Sequence, residues 1–371
     1  MDKKQFKKLC DELPVFFLGA NSSKGFVSAF SRVADREFGE RLYIIKGGPG
    51  TGKSSLMKTL LGEALKTGDS PEMILCSTDP ESLDGIVIAS KKCAVIDGTP
   101  PHTVEPKYPG VSDRMIPLSE CLDSDKLGQE ADEIISLCKT NSSLHKKASR
   151  HIGASGELLT DNFAIACGLT KTDEVLKAAS NLCSVIFDVC FQGEGKEKIR
   201  FLSGVTPDGI KIFDKTLSVY ADKIIAIDDE YGVVSSVILS AVRKKALSNG
   251  YDIITCPCAL FPDRKIDHVI IPSLKTAICT KNSFLPISLP NVRVINSKNF
   301  YDYEGQKRFK NRLSFNKKSA FELINTASEI IKDAKAVHDV IEKYYVKNMD
   351  FDSVKKRGEI LINEILGRKI G

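Results

Sequence analysis

Short apolar runs alternate along the first half of the chain with longer amphipathic stretches. The runs at residues 42–46, 73–76 and 93–97 are typical of buried strands. A helical spacing of apolar positions follows the first run, from about Lys53 to Lys66. Because strands that alternate with helices are typical of parallel sheets covered by helices, this pattern predicts an α/β fold.

Two segments of the first half recur in the second half at nearly one offset. FLGANSSKGF resembles FLSGVTPDGI, and the matched glycines Gly25 and Gly209 lie 184 residues apart. LDGIVI resembles IDHVII, and the matched aspartates Asp84 and Asp267 lie 183 residues apart. Two matches at an offset close to half the chain length indicate a tandem duplication.

Each copy is followed by charged, amphipathic segments that predict a helical hairpin. The predicted helical segments are residues 125–150, 173–190, 317–347 and 353–366. The polar run QGEGK at residues 192–196 separates the two copies. We therefore expect two domains, residues 1–192 and 197–371, each a parallel sheet with its own helical extension.

Composition restricts the function classes. The chain has 371 residues, 42% of them hydrophobic, and its net charge of +5 is too small to indicate a nucleic-acid partner. There is no apolar run of about 18 residues and no signal-like start, so we expect a cytosolic protein without membrane insertion. Eleven irregularly spaced cysteines predict reduced thiols, and the spacing of Cys256, Cys258 and His268 matches no common zinc pattern.

One run of residues predicts phosphate binding. The pattern G-x-x-x-x-G-K-[ST] is matched by Gly47, Gly48, Pro49, Gly50, Thr51, Gly52, Lys53 and Ser54, and Ser55 follows it. The run stands between an apolar strand and a helix, which is the context that this motif requires. Glycines let the backbone N–H groups and the helix N-terminus approach phosphate oxygens closely, so we expect a nucleoside triphosphate here.

Three side chains are expected to contact the phosphates or the metal ion at this loop. Lys53 is expected to contact the β- and γ-phosphates, and the Ser54 hydroxyl is expected to bind Mg²⁺. Asp97 ends the apolar run AVID and is our candidate for a second, metal-side carboxylate, although Asp97-Gly98 is also a good turn dipeptide. These assignments predict ATP with Mg²⁺ as the ligand.

The matching loop of the second copy has lost this chemistry. The alignment places Ser235 opposite Ser54 and Val234 opposite Lys53. The loop also carries the acidic residues Asp228, Asp229 and Glu230. Negative charge repels a triphosphate, so we expect the second copy to be a degenerate, empty nucleotide site.

Comparison of the two copies divides the polar residues near the first loop into those that are missing from the second copy and one that is present in it. Asp97 corresponds to Thr280 and His102 to Leu285, so both groups are missing where the lysine is missing. Asp84 has an aspartate counterpart in the second copy, which favours a structural role such as a turn or a helix cap.

Two further residues are candidates for the catalytic site. His102 follows the strand that ends at Asp97, at the edge where open α/β sheets bind ligands, and could polarise a phosphate; the alternative is a solvated loop histidine. Asp79 follows another strand and could orient water or accept a proton, but an aspartate before a proline is equally a turn former.

The segments GGPGTGKSSLMK, CSTDPESLDG and DGTPPH resemble a poorly characterised bacterial family of tandem P-loop ATP-binding proteins, over nearly the whole chain. The resemblance implies two P-loop NTPase-like domains in a cytosolic ATP-binding or ATPase protein. In that family the second copy can also carry a P-loop, and this chain departs from the pattern at residues 228–234.

Three functions fit these observations. The first is an Mg²⁺-dependent ATPase whose cycle rearranges the two copies and acts on an unknown protein or small-molecule partner. Gly98 after Asp97 disfavours a site with an Asp-Glu pair. The alternatives are a kinase of a small molecule or nucleotide, with Asp79 as the base, and a nucleotide-gated scaffold without turnover.

Overall fold

The computed structural model describes residues 1–189, 191 and 193–368. Cys190, Gln192 and residues 369–371, which the predicted boundaries include, lie outside the described residues. The chain forms two compact units. Unit one comprises residues 1–19, 28–147 and 329–371, and unit two comprises residues 20–27 and 148–328.

Strands and helices alternate in the first half of the chain. Its elements are α1 (Lys3–Glu12), β1 (Val15–Phe16), β2 (Gly19–Ser22), β3 (Gly25–Ser28), β4 (Arg41–Lys46), α2 (Lys53–Lys66), β5 (Glu72–Leu75), β6 (Leu83–Ile88), β7 (Cys93–Asp97), β8 (Asp113–Pro117), α3 (Ser124–Gly128), α4 (Ala131–Gly168) and α5 (Thr172–Ile186).

The second half repeats this succession of strands. Its elements are β9 (Glu197–Ile199), β10 (Ser203–Thr206), β11 (Gly209–Ile212), α6 (Lys215–Tyr220), β12 (Lys223–Asp228), α7 (Val233–Ser248), β13 (Ile253–Pro257), β14 (Ile266–Ile271), β15 (Thr276–Lys281), β16 (Arg293–Asn296), α8 (Tyr303–Val346) and α9 (Phe351–Leu366).

Unit one contains a six-stranded sheet in the order β1-β5-β6-β7-β4-β8. The strand before the glycine-rich loop, β4, is parallel to both of its neighbours, β7 and β8. β6 is antiparallel to β5 and β7, so the sheet is mixed and the prediction of a wholly parallel sheet is wrong at this strand. The physical reason is that the connections on either side of β6, residues 76–82 and 89–92, are too short for a helical crossover.

Unit two contains a sheet with the same plan. Its order, β9-β13-β14-β15-β12-β16, matches the first sheet strand for strand, again with one antiparallel strand in the third position. Each half also has a two-stranded hairpin, β2-β3 and β10-β11. A repeated topology of this kind is what a tandem duplication predicts.

The helical extensions do not stay with the copy that precedes them. α4 begins in unit one and ends in unit two, and α8 begins in unit two and ends in unit one. As a result α5 packs on α7 within unit two, and α9 packs on α2 within unit one. The compact units therefore differ from the predicted domains 1–192 and 197–371, because α4 and α8, with 38 and 44 residues, are long enough to leave one unit and enter the other.

The central strands form the interior of each unit. In unit one, Leu42, Ile44 and Ile45 of β4 are completely buried, and in unit two Ala226 and Ile227 of β12 are equally buried. Strands that are covered on both faces hold the loops at their carboxyl ends in place. No helix within the described ranges is both long and apolar enough to cross a membrane.

Candidate functional site

The glycine-rich loop of unit one joins β4 to α2, as the motif predicts. Gly50 and Gly52 have φ angles of +68° and +89°, which favour glycine. Gly52 is the N-cap of α2, and within the described residues no side chain caps this end of the helix. In that part of the chain, the positive end of the helix therefore has no carboxylate bound to its N–H groups.

Lys53 lies folded over this loop. Its Nζ donates hydrogen bonds to the carbonyl oxygens of Gly47 (2.8 Å) and Gly48 (2.7 Å). The same Nζ lies 3.6 Å from Oδ2 of Asp97, and both side chains are mostly buried. The ammonium group thus already lies among the loop carbonyls, which an incoming phosphate could replace as its acceptors.

Asp97 ends β7, next to the strand that carries the loop, and is paired in register with Ile45. One carboxylate oxygen accepts hydrogen bonds from the backbone N–H and the hydroxyl of Thr99, so Asp97 does form the turn that its sequence suggests. The other oxygen faces Lys53. The turn therefore fixes the carboxylate and leaves one oxygen directed at the loop.

Asp84 joins this cluster, which the sequence did not predict. It lies within β6, with a side-chain oxygen 3.4 Å from Nε2 of His102. Asp84, Asp97 and His102 each offer a ligand atom, and these atoms all lie within 4.8 Å of one another. The predicted role of Asp84 as a turn or cap is wrong because the residue is buried inside a strand. An aspartate within the apolar run LDGIVI is the sequence feature that could have indicated a buried carboxylate.

Burial alters the acidity of this cluster. It raises the pKa of Asp84 to about 6, an effect that nearby His102 opposes and nearby Asp97 reinforces. Burial also raises the pKa of the neighbouring Cys76 thiol well above its ordinary value. Asp84 is thus a stronger base than an ordinary carboxylate, whereas the thiol stays protonated at neutral pH.

The other two candidates differ in their surroundings. His102 is buried and its ring stacks on Phe30 with centroids 4.5 Å apart, so it is not a solvated loop histidine. Asp79 lies on the loop after β5, where its carboxylate is 3.8 Å from Nζ of Lys335. Asp79 does not belong to the group formed by Asp84, Asp97 and His102.

The two serines after Lys53 are also distinct. The Ser54 hydroxyl accepts a hydrogen bond from the backbone N–H of Leu83 (3.0 Å), which ties the start of α2 to β6. The Ser55 side chain is exposed. Ser54 therefore lies beside the strand that carries Asp84.

The last turns of α8 and the start of α9 cover the outer side of the loop within unit one. A Cβ added to Gly48 would lie 2.4 Å from the ring of Tyr345, and one added to Gly50 would lie 2.8 Å from the carbonyl oxygen of Glu342. Gly52 faces Phe351. Close packing against these helices thus requires small residues, in addition to any requirement of phosphate.

The corresponding loop in unit two is shorter by two residues. Gly232, with φ of +81°, is the N-cap of α7 as Gly52 is of α2. This equivalence places Val233 opposite Lys53 and Val234 opposite Ser54, one residue earlier than the sequence alignment, because the gap could not be located from sequence.

Asp229 fills the N-terminus of α7. Its fully buried carboxylate accepts hydrogen bonds from the backbone N–H of Ser235 (2.8 Å) and the hydroxyl of Tyr301 (2.9 Å). Thr280 stands at the position of Asp97, as predicted, since it pairs with Ile227 as Asp97 pairs with Ile45. Neither Cys256, Cys258 nor His268 belongs to a group of three metal ligands among the described residues.

No model of a known protein family matches the chain, and comparisons with curated proteins and with solved structures find no significant similarity.

Proposed function

We propose that unit one binds one ATP with Mg²⁺ at residues 47–54 and hydrolyses it. The observation that carries the proposal is the contrast between the two loops. α2 begins with Lys53 and has no side-chain cap within the described residues, whereas α7 begins with valines and its third residue donates its N–H to Asp229. An uncapped helix N-terminus beside a lysine favours phosphate, and an occupied one does not. The choice of ATP among nucleoside triphosphates follows the family resemblance.

The donor set near Lys53 fits a magnesium ion. Ser54 offers a hydroxyl and Asp97 a carboxylate, both hard oxygen donors of the kind Mg²⁺ prefers. Mg²⁺, when bound, would neutralise charge on the phosphates. The Lys53 ammonium, now 3.6 Å from Asp97, would exchange this carboxylate for phosphate oxygens and leave Asp97 to the metal.

The buried pair Asp84–His102 is our candidate for the proton acceptor. At neutral pH a carboxylate with a pKa of about 6 is ionised, yet it is more basic than an ordinary aspartate. In the proposed step, the oxygen of a water molecule forms a bond to the γ-phosphorus, and one proton of this water passes to Asp84. The bond between the γ-phosphorus and the oxygen that links it to the β-phosphate breaks. The products are ADP and inorganic phosphate. Coupling of this step to a rearrangement of the two copies stays a prediction.

Calorimetric titration with ATP and Mg²⁺, together with a phosphate-release assay, tests the proposal. We expect a stoichiometry near one nucleotide per chain. Lys53→Ala should weaken binding about 10- to 100-fold, since hydrogen bonds to charged groups contribute roughly 1.5–3 kcal/mol. Lys66→Ala, in the last turn of the same helix, is the matched control and should bind normally. A stoichiometry near two, or full affinity in a folded Lys53→Ala protein, would contradict the proposal.

A further inference from the structure

Unit two contains a cavity of about 230 Å³ beside the loop that corresponds to the phosphate loop. Glu230 and Tyr231 of that loop form one side, and two further segments, residues 258–261 and residues 282, 284 and 285, form others. These segments follow β12, β13 and β15, which run in the same direction. The carboxyl ends of such strands are where open α/β sheets bind ligands.

This cavity is not built for phosphate. The N-terminus of α7 already holds the buried carboxylate of Asp229, which accepts the N–H of Ser235 at 2.8 Å. Val233 occupies the place that Lys53 has in unit one. A second anion at this helix end would meet the charge of Asp229 at short range.

The cavity wall is largely apolar. Its large apolar side chains include Leu159, Phe163, Leu260, Phe261, Phe284 and Leu285. Phe284 is held by a stacked contact with Phe321, with ring centroids 4.0 Å apart. A wall of this composition favours the apolar body of a small molecule.

Among the charged side chains that line the cavity, positive charges outnumber negative charges by one. Lys265 pairs with Asp267 at 2.9 Å, and Lys317 pairs with Glu230 at 3.4 Å. Arg264 is exposed at the cavity and has no ion pair within the part of the chain that the structure describes. A guanidinium group at the mouth of an apolar cavity is suited to a carboxylate.

We propose that this cavity binds a small organic monoanion, with its apolar part among the phenylalanine and leucine side chains and its acidic group against Arg264. The second copy would then have exchanged a nucleotide site for a site of different chemistry at the same sheet edge.

Octanoate is a suitable probe, with octylamine as the probe of opposite charge. Calorimetry on the full chain should show octanoate binding and a rise in melting temperature, with octylamine at least tenfold weaker. Arg264→Glu should weaken octanoate at least tenfold, whereas Arg308→Glu, an exposed arginine of α8 away from the cavity, should not. Both variants should bind ATP with Mg²⁺ as the wild type does.

Ala259→Phe tests the location of the site, because Ala259 lines the cavity and a larger side chain would fill it. We expect loss of octanoate binding with an unchanged circular dichroism spectrum; should this variant unfold, Arg264→Glu decides alone. The proposal is overturned if octanoate does not bind, if octylamine binds as tightly, or if Arg264→Glu and Arg308→Glu have the same affinity.

Discussion

The carboxylate of Asp229 accepts a hydrogen bond of 2.8 Å from the backbone N–H of Ser235, the third residue of α7. The acidic residues of the second loop predicted that this loop repels a triphosphate and stays empty. The structure instead gives this aspartate a specific place, buried at the helix end that corresponds to the proposed phosphate site. The loop of the second copy has thus not only lost the lysine. It has an internal carboxylate that stabilises the start of α7.

Asp229→Ala should destabilise the chain without creating a second nucleotide site. The variant removes a helix cap and leaves the buried hydroxyl of Tyr301 without its acceptor, at a combined cost of about 2–4 kcal/mol. Urea unfolding measures this loss, and Asp228→Ala, the preceding acidic residue, is the control. Calorimetry should still give one ATP per chain, because Val233 offers no charge; a stoichiometry of two would contradict this account.

Asp97→Asn should impair turnover more than binding. The amide keeps the turn with Thr99 but loses the charge that would hold Mg²⁺, so phosphate release should fall by about 100-fold or more. Binding of ATP without metal should change little. Asp69→Asn, at a half-buried aspartate of unit one outside the candidate site, is the control. Equal losses in metal-free binding and in turnover would show that Asp97 does not act through the metal.

Asp84 should make stability depend on pH. Its pKa is about 6 in the folded chain against an ordinary value of 3.8, so the folded state binds the proton more tightly than the unfolded state. The favourable contribution is therefore complete below about pH 4 and is lost as the pH rises to about 6, by roughly 3 kcal/mol in total. Relative to Asp84→Asn, the unfolding free energy of the wild type should fall across this interval. A difference that is flat with pH would mean that burial does not raise this pKa.

Local patterns predicted the elements on either side of the glycine-rich loop well. The helix Lys53–Lys66 and the strand Cys93–Asp97 have the predicted bounds, because each shows a clear periodicity between glycine or polar boundaries. The partners of each element were harder to predict. The sequence analysis predicted no strand between the runs 73–76 and 93–97, so it missed β6 and with it the antiparallel direction that the short connections on either side of β6 impose.

The candidate site shows the same division. The motif predicted the loop and its lysine, and the strand-end pattern predicted Asp97. Asp84 was assigned a structural role because a duplicate aspartate is present in the second copy. The structure shows that the two aspartates have different partners, His102 for Asp84 and Lys265 for Asp267. The presence of an aspartate at the same position in both copies therefore did not show that the two aspartates have the same role.

Gly48→Ala separates two reasons for a glycine in the loop. Gly48 does not have a positive φ, so alanine can adopt its backbone conformation, and only the space around the Cβ matters. That Cβ would lie 2.4 Å from Cε1 of Tyr345, and overpacking of this kind costs about 1–3 kcal/mol. Without nucleotide, Gly48→Ala should therefore lower the unfolding free energy, and Tyr345→Ala should remove most of this effect by opening the space. The double-mutant cycle, measured by urea unfolding, should give a coupling of about 0.5–3 kcal/mol.

Gly62→Ala, at a glycine within α2 whose added Cβ meets no atom within 4 Å, is the control and should stabilise the helix slightly. If Gly48→Ala is as stable as the wild type and the cycle is additive, Tyr345 places no restriction on this position, and packing does not account for the glycine.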